Sequence, residues 1–396
     1  MNDHGEHTRA VHTPEFVAPR QRPLGLPVYR TSAFAFDTAQ EYSDVLGDRR
    51  PGYSYSRIDN PTVDAFAAGV AALEGHRVDG EVVGQAFASG MAAISTVLLT
   101  FLGAGAHIVA SRELYGGTYS LLEHVLPKYG VQVSWVDASR HDDVRAAMRP
   151  ETALVWAETI ANPTLTVADL PALAAIAHEA AALLVVDSTF ASPVVCRPLE
   201  HGVDIVVHSA TKFFGGHTDA TGGVAVGDPA LLSRVRKLRV DLGGSMSPDE
   251  AFLMHRGLAT LPLRVMRAGE TALTVATKLE GHEHVQRVHY PGLASSPSHD
   301  VATRLFDPGR YGGVVTLDVR GGRAAAMAFC DRLRLAEVAP SLAGPHSVVS
   351  HVASTTHRQL DDAALAAAGL APGDVRISIG LEDADDLLAD ITQALE

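Results

Sequence analysis

Between residues 63 and 226 short apolar runs alternate with stretches of helical spacing, and this alternation restricts the fold more than any other feature of the chain. Val63, Phe66, Ala67, Val70 and Leu73 recur at helical intervals behind Asn60-Pro61-Thr62, a favourable helix start. Strands are expected at 85–88, 107–110, 131–136, 153–157, 182–187, 204–207 and 222–226. Helices are expected between them, at 91–101, 118–129, 142–148 and 169–181. Strands that alternate with helices predict an α/β fold, a mostly parallel sheet with helices on both faces. From Pro229 to Leu279 the pattern is helical, with breaks at Pro248 and Pro262. Strands at 285–290, 314–319 and 375–379, with helices at 323–333 and 384–395, predict a smaller C-terminal α/β domain.

The first 62 residues lack this order. Pro14, Pro19, Pro23, Pro27, Pro51 and Pro61 interrupt them, so they read as an extended arm that packs on something else, most simply a neighbouring subunit. The expected division is therefore an arm at 1–62, a large domain at 63–260 and a small domain at 261–396.

Composition excludes several classes. A chain of 396 residues, 46% of them apolar, can bury the core of two domains. A formal charge of −14 disfavours nucleic acid and anionic membranes as partners. No apolar run reaches membrane-spanning length, and Met1-Asn2-Asp3-His4-Gly5-Glu6 is not a signal peptide. Cys196 and Cys330 stand far apart without zinc-type spacing, which suits a soluble enzyme of a reducing cytoplasm. His282, Glu283 and His284 lack an evident further ligand, so no metal is expected. His4, His7 and His12 belong to a polar tail with no expected role.

Two strand ends carry chemistry. The run Val206-Val207-His208-Ser209-Ala210-Thr211-Lys212 leaves a buried strand through two hydroxyl residues to a lone lysine, and Gly215 and Gly216 follow. Desolvation disfavours an ammonium there, and only the neutral amine attacks a carbonyl. A lysine with its ammonium in water is the plainer alternative. Upstream, Ala182-Leu183-Leu184-Val185-Val186-Asp187 ends in a carboxylate, followed by Ser188 and Thr189. In doubly wound sheets ligands gather at the carboxyl ends of the strands, which places Asp187 and Lys212 on one rim. A Schiff-base lysine with an aspartate on a pyridinium nitrogen is the protein's half of pyridoxal phosphate chemistry. Ser89-Gly90, opening the next apolar helix, offers free backbone amides to a phosphate.

From about Pro19 onward the chain resembles the pyridoxal-phosphate enzymes of cysteine and methionine metabolism. The matching segments run in order: Tyr53-Ser54-Tyr55-Ser56-Arg57, Ser89-Gly90-Met91-Ala92-Ala93, Leu114-Tyr115-Gly116-Gly117, Asn162-Pro163, Val186-Asp187-Ser188-Thr189, Ser209-Ala210-Thr211-Lys212 and Arg376-Ile377-Ser378. The resemblance implies the fold of the pyridoxal-phosphate-dependent transferases, aspartate aminotransferase-like and of fold type I. It implies that Lys212 carries the cofactor, that Asp187 pairs with the ring nitrogen, and that Tyr115 stacks on the ring. Asn162 would bind the phenolic oxygen, and Ser89, Gly90, Met91, Thr189, Ser209 and Thr211 would hold the cofactor, most of them at its phosphate. Tyr55 and Arg57 would reach the phosphate of a partner subunit, in a homotetramer built as a dimer of dimers. Arg376 would anchor the α-carboxylate of a small amino-acid substrate, with Ser341 and Asp241 beside it.

Departures from the family pattern narrow the chemistry. Members with dicarboxylic substrates carry an arginine where Ser120 stands and a glutamate near His346. Both departures favour a short thioether and point, within the family, to the methionine γ-lyases. Cystathionine γ-lyase and the γ-replacement enzymes, cystathionine γ-synthase and O-acetylhomoserine sulfhydrylase, remain the alternatives. Gly117 and Val240 replace a cysteine and a lysine of the bacterial methionine lyases.

Overall fold

The computed structural model describes residues 6–11, 21–358, 361–367 and 369–396, so His4 and His12 lie outside the described residues. Seven strands form the larger sheet: β1 Val83–Phe87, β2 His107–Ser111, β3 Gln132–Val136, β4 Thr152–Glu158, β5 Leu183–Asp187, β6 Ile205–Ser209 and β7 Gly223–Gly227. Their order is β1-β7-β6-β5-β4-β2-β3. All run parallel except β7, which is antiparallel to both β1 and β6.

Alternate residues of these strands enter different cores, as the two-residue repeat of a strand requires. Val155, Ala157, Leu184, Val186 and Val206 meet the helices Pro61–Glu74 and Leu170–Glu179 on one face. Leu154, Trp156, Val185, Ile205 and Val207 meet the helices Gly90–Phe101 and Pro229–Leu242 on the other. A sheet covered on both sides explains why its strands read as unbroken apolar runs.

The smaller sheet comprises β8 Val285–His289, β9 Val314–Val319, β10 Glu337–Val338, β11 Val348–His351 and β12 Asp374–Ser378, in the order β10-β11-β12-β9-β8. Helix Leu261–Leu279 joins the two parts of the molecule. Its Leu261 and Val265 pack into the core of the larger sheet, and Ala272, Val275 and Leu279 into that of the smaller one.

Three local expectations change. The stretch expected as one helix at 118–129 is an α-turn Gly116–Ser120, a π-turn Leu121–Val125 and a 3₁₀ turn Leu126–Tyr129. Pro127 lacks the amide that would continue an α-helical ladder through it. The arm contains a helix, Ala39–Leu46, whose first turn is capped by the Thr38 hydroxyl accepting from Glu41 N at 3.1 Å. β10 and β11 were not expected, being two and four residues long with Ser350 and His351 in the second. Among the described residues no helix is long and apolar enough to cross a membrane, and no group of three or more His, Cys, Asp or Glu could hold a metal.

Candidate active site

The carboxyl ends of β4, β5 and β6 open into a cavity of about 890 Å³ that reaches the edge of the small sheet. Ser89, Gly90, Met91, Tyr115, Asn162, Asp187, Thr189, Ser209, Thr211, Lys212, Ser341 and Arg376 all line it. These residues come from seven separate places in the chain, and the topology alone brings them together.

Lys212 follows β6 by three residues and is largely buried. Its Nζ donates to Ser341 Oγ at 2.6 Å. Burial, and then the positive Arg376, pulls its pKa from 10.5 down to about 8. The lysine thus holds a reactive amine near neutral pH. Ser341 meets it from a left-handed backbone conformation, φ +80°, that is uncommon for a residue with a side chain.

Arg376 stands on β12, 6% exposed. It donates from Nη1 to Asn162 Oδ1 at 3.0 Å and from Nη2 to Ser341 O at 2.9 Å. Its Nε is buried without a partner among the described residues. A buried guanidinium with a spare donor is suited to a carboxylate ligand. Burial lowers its pKa to about 10.

Asp187 ends β5 and accepts from Thr189 N at 2.9 Å. Burial raises its pKa, and the Thr189 hydrogen bonds oppose that rise. Beside it in register on β4 stands Glu158, which the sequence reading gave no role. One Glu158 oxygen accepts the amide of Tyr115 and the other that of Asn162, at 2.5 and 3.0 Å. Burial first, then the adjacent Asp187, pushes its carboxyl well above the usual range. A carboxyl at the end of a buried strand, one position before Thr159, was the available signal, the same signal that picked out Asp187.

At the other side of the cavity Ser89 caps helix Gly90–Phe101, its Oγ accepting from Ala92 N at 3.1 Å. The first-turn amides of Gly90 and Met91 have no intrahelical acceptor. A Cβ on Gly90 would stand 2.8 Å from Ser209 Cβ, so only glycine lets the helix start approach the end of β6 so closely. Thr189 Oγ1 accepts the Ser209 amide at 2.8 Å, and Thr211 Oγ1 accepts the Gly222 amide at 3.0 Å.

Three expected residues lie elsewhere. Tyr55 and Arg57 line a separate recess with Phe34, Phe36 and Tyr42, where Arg57 Nη1 donates to Val240 O at 2.8 Å. Asp241 is exposed near the end of helix Pro229–Leu242. Ser120 and His346 are exposed too and do not line the cavity. The part of that later segment which does line it is Val338-Ala339-Pro340-Ser341-Leu342, and it carries no charge.

The site fits pyridoxal phosphate. A low-pKa lysine lies between a buried carboxyl and a cup of free amides and hydroxyls, which match the aldehyde, ring nitrogen and phosphate of that group. Residues 7–396 match the family described as Cys/Met metabolism PLP-dependent enzyme, and the chain belongs to it. It is a pyridoxal-phosphate-dependent enzyme of fold type I. The chain is 41% identical to the L-methionine gamma-lyase of Pseudomonas deceptionensis, over 100% of this chain and 99% of that one. It is 39% identical to the cystathionine gamma-synthase of Mycobacterium tuberculosis, over 99% and 97%. The structure of cystathionine gamma-lyase from Lactobacillus plantarum superposes with a TM-score of 0.86 at 34% identity, covering 93% of this chain and 92% of that one. The relatives share the family and differ in reaction, so elimination or replacement at a sulfur amino acid's γ-carbon frames the activity.

Proposed function

We propose that the enzyme is a γ-lyase of sulfur amino acids that converts L-methionine and water to 2-oxobutanoate, ammonia and methanethiol. The observation that carries this reading is the pairing of a low-pKa Lys212 with a cavity wall, Val338 to Leu342 together with Met91 and Ile94, that is uncharged where a thioether would lie. The identity to a named methionine lyase supports it.

The residues have distinct tasks in this reaction. Arg376 binds the α-carboxylate through its fork, and its bonds to Asn162 and Ser341 fix that fork in place. Lys212, neutral in part at pH 7 to 8, takes the proton from the substrate Cα, and Ser341 aims its amine. Bound pyridoxal phosphate supplies the electron sink that makes the Cα and Cβ protons acidic. Asp187 keeps the ring nitrogen protonated, and Gly90, Met91, Ser209 and Thr211 hold the phosphate. Tyr115 stacks on the ring and delivers a proton to the departing thiolate. Tyr55 and Arg57, lying outside their own chain's cavity, reach the phosphate site of a second copy, in a homotetramer of the cytoplasm.

Purified holoenzyme assayed with L-methionine, L-cystathionine, and O-acetyl-L-homoserine with and without sulfide tests the proposal. Methionine should yield equal amounts of 2-oxobutanoate and methanethiol. Replacement products without ketoacid, or turnover of cystathionine alone, would overturn it.

A further inference from the structure

Tyr115 has a proton to deliver, yet little holds its side chain. The residue is 45% exposed, and its hydroxyl has no hydrogen-bond partner among the described residues. It stands at the start of the short helix Gly116–Ser120 without a side-chain capping bond. Its carbonyl accepts Tyr119 N at 3.0 Å, a bond within the same turn. What ties that turn to the sheet is the bond from the Tyr115 amide to Glu158, at 2.5 Å. The ring lies over Gly117, where a Cβ would stand 2.5 Å from Cε1, so its direction follows the backbone of the turn.

Glu158 is a rigid place from which to hold it. It ends β4, in register with Asp187 on β5, and is buried. Its second oxygen accepts the Asn162 amide at 3.0 Å, and Asn162 Oδ1 in turn accepts from Arg376 at 3.0 Å. One carboxyl therefore links the turn that carries Tyr115 to the group suited to an α-carboxylate. The two amides differ in what each would lose without it. Asn162 is buried, whereas Tyr115 is open to water, so a side chain with a single acceptor stays with Asn162 and releases Tyr115.

We propose that Glu158 is the positioning residue for proton delivery by Tyr115, its carboxyl setting where the phenol meets the departing sulfur. This rests on the reading of Tyr115 as the proton donor in the elimination. There the Cγ–S bond breaks with its electron pair on sulfur, and the phenolic proton passes to that sulfur and leaves a phenolate. Arg376 lies near enough for that negative charge to be felt at its guanidinium. Acid assistance grows with the basicity of the leaving group. Methanethiolate is strongly basic and gains most from the proton, whereas acetate leaves without one. Loss of the Glu158 carboxyl therefore slows expulsion of the first far more than that of the second.

The test is a ratio measured on holoenzyme: kcat/KM for L-methionine over that for O-acetyl-L-homoserine, both read as 2-oxobutanoate. Glu158→Gln fills the same volume and matches the neutral carboxyl that burial favours, but it keeps one acceptor oxygen for two amides. In it the ratio should fall about tenfold, with cofactor absorbance and melting temperature little changed. Glu158→Met, which offers no oxygen to either amide, should fall at least as far, and it carries the decision if the glutamine variant does not bind cofactor. Tyr115→Phe should lower the ratio too. Adding Glu158→Gln to Tyr115→Phe should lower it no further, because a group that acts through Tyr115 then has nothing left to position. A ratio within about twofold of wild type in the deciding variant, or a further fall on the Tyr115→Phe background, overturns the proposal. Methionine cleavage with an unaltered ratio removes this inference alone. Failure of the wild type to cleave methionine removes the lyase reading alone, and the visible circular dichroism of the bound cofactor then decides the positioning role. That signal should change by about half or more in Glu158→Gln as Tyr115 leaves the ring, and an unchanged signal overturns the proposal.

Discussion

The most exposed consequence of the geometry is the titration of Lys212. A free lysine with a pKa of 10.5 is neutral in only about 0.03% of molecules at pH 7, whereas one held at about 8 is neutral in about a tenth. The rate at which apoenzyme captures pyridoxal phosphate should follow that neutral fraction. It should rise with pH, bend near 8 and level above it, running at pH 7 about tenfold below its plateau. Stopped-flow absorbance measures the capture, with Nα-acetyl-lysine as the reference that removes the aldehyde's own titration. In Arg376→Gln the bend should move to higher pH, because the positive neighbour that helps to lower the value is gone. Stability should follow with the same sign. Between 8 and 10.5 the unfolded chain binds the extra proton, so this group makes the apoenzyme more stable as pH rises through that window. The gap between 10.5 and 8 sets the size at about 3 kcal/mol, and below pH 8 the contribution no longer changes. A capture rate that climbs without a bend to pH 10 would refute the argument, since burial would then not be lowering the amine.

Three substitutions test other parts of the site. Asp187→Asn leaves the strand end in place but removes the carboxylate, and kcat should fall by roughly 10² or more in a steady-state assay, with the melting temperature little changed. Gly90→Ala puts a methyl 2.8 Å from Ser209 Cβ, and the helix start must retreat from β6. Equilibrium titration should then show pyridoxal phosphate binding weakened by about tenfold or more. Gly117→Cys would place its Cβ 2.5 Å from Tyr115 Cε1 and 2.9 Å from Met91 Sδ, so the Tyr115 ring must turn. Overpacking of this kind costs about 1–3 kcal/mol, and kcat/KM for methionine should drop while cofactor absorbance persists.

The residues that the sequence identified are those where a buried strand meets a reactive side chain. Asp187 and Lys212 stand out because an apolar run makes a charge costly, and a costly charge in such a place calls for a reason. Glu158 satisfies the same rule at the end of β4, but its task is to hold the amides of Tyr115 and Asn162, and backbone partners leave no trace in residue type. His346, near which the family pattern has a glutamate, is exposed and does not line the cavity, because by five residues after Ser341 the chain has turned out of it.

The site also depends on the 354–358 segment lying against the Tyr115 turn, where a Cβ on Gly116 would stand 3.5 Å from Thr356 O, between positions 240 residues apart in the chain. The same long-range assembly governs how the site could change substrate. Arg376 must keep its place, because Lys212, Asn162 and Ser341 all depend on it through electrostatics or hydrogen bonds. Selection on the leaving group can therefore act elsewhere in the cavity lining while the groups that hold the α-carbon stay fixed. That separation gives a physical route by which one scaffold can serve relatives that differ in what they expel or attach at the γ-carbon.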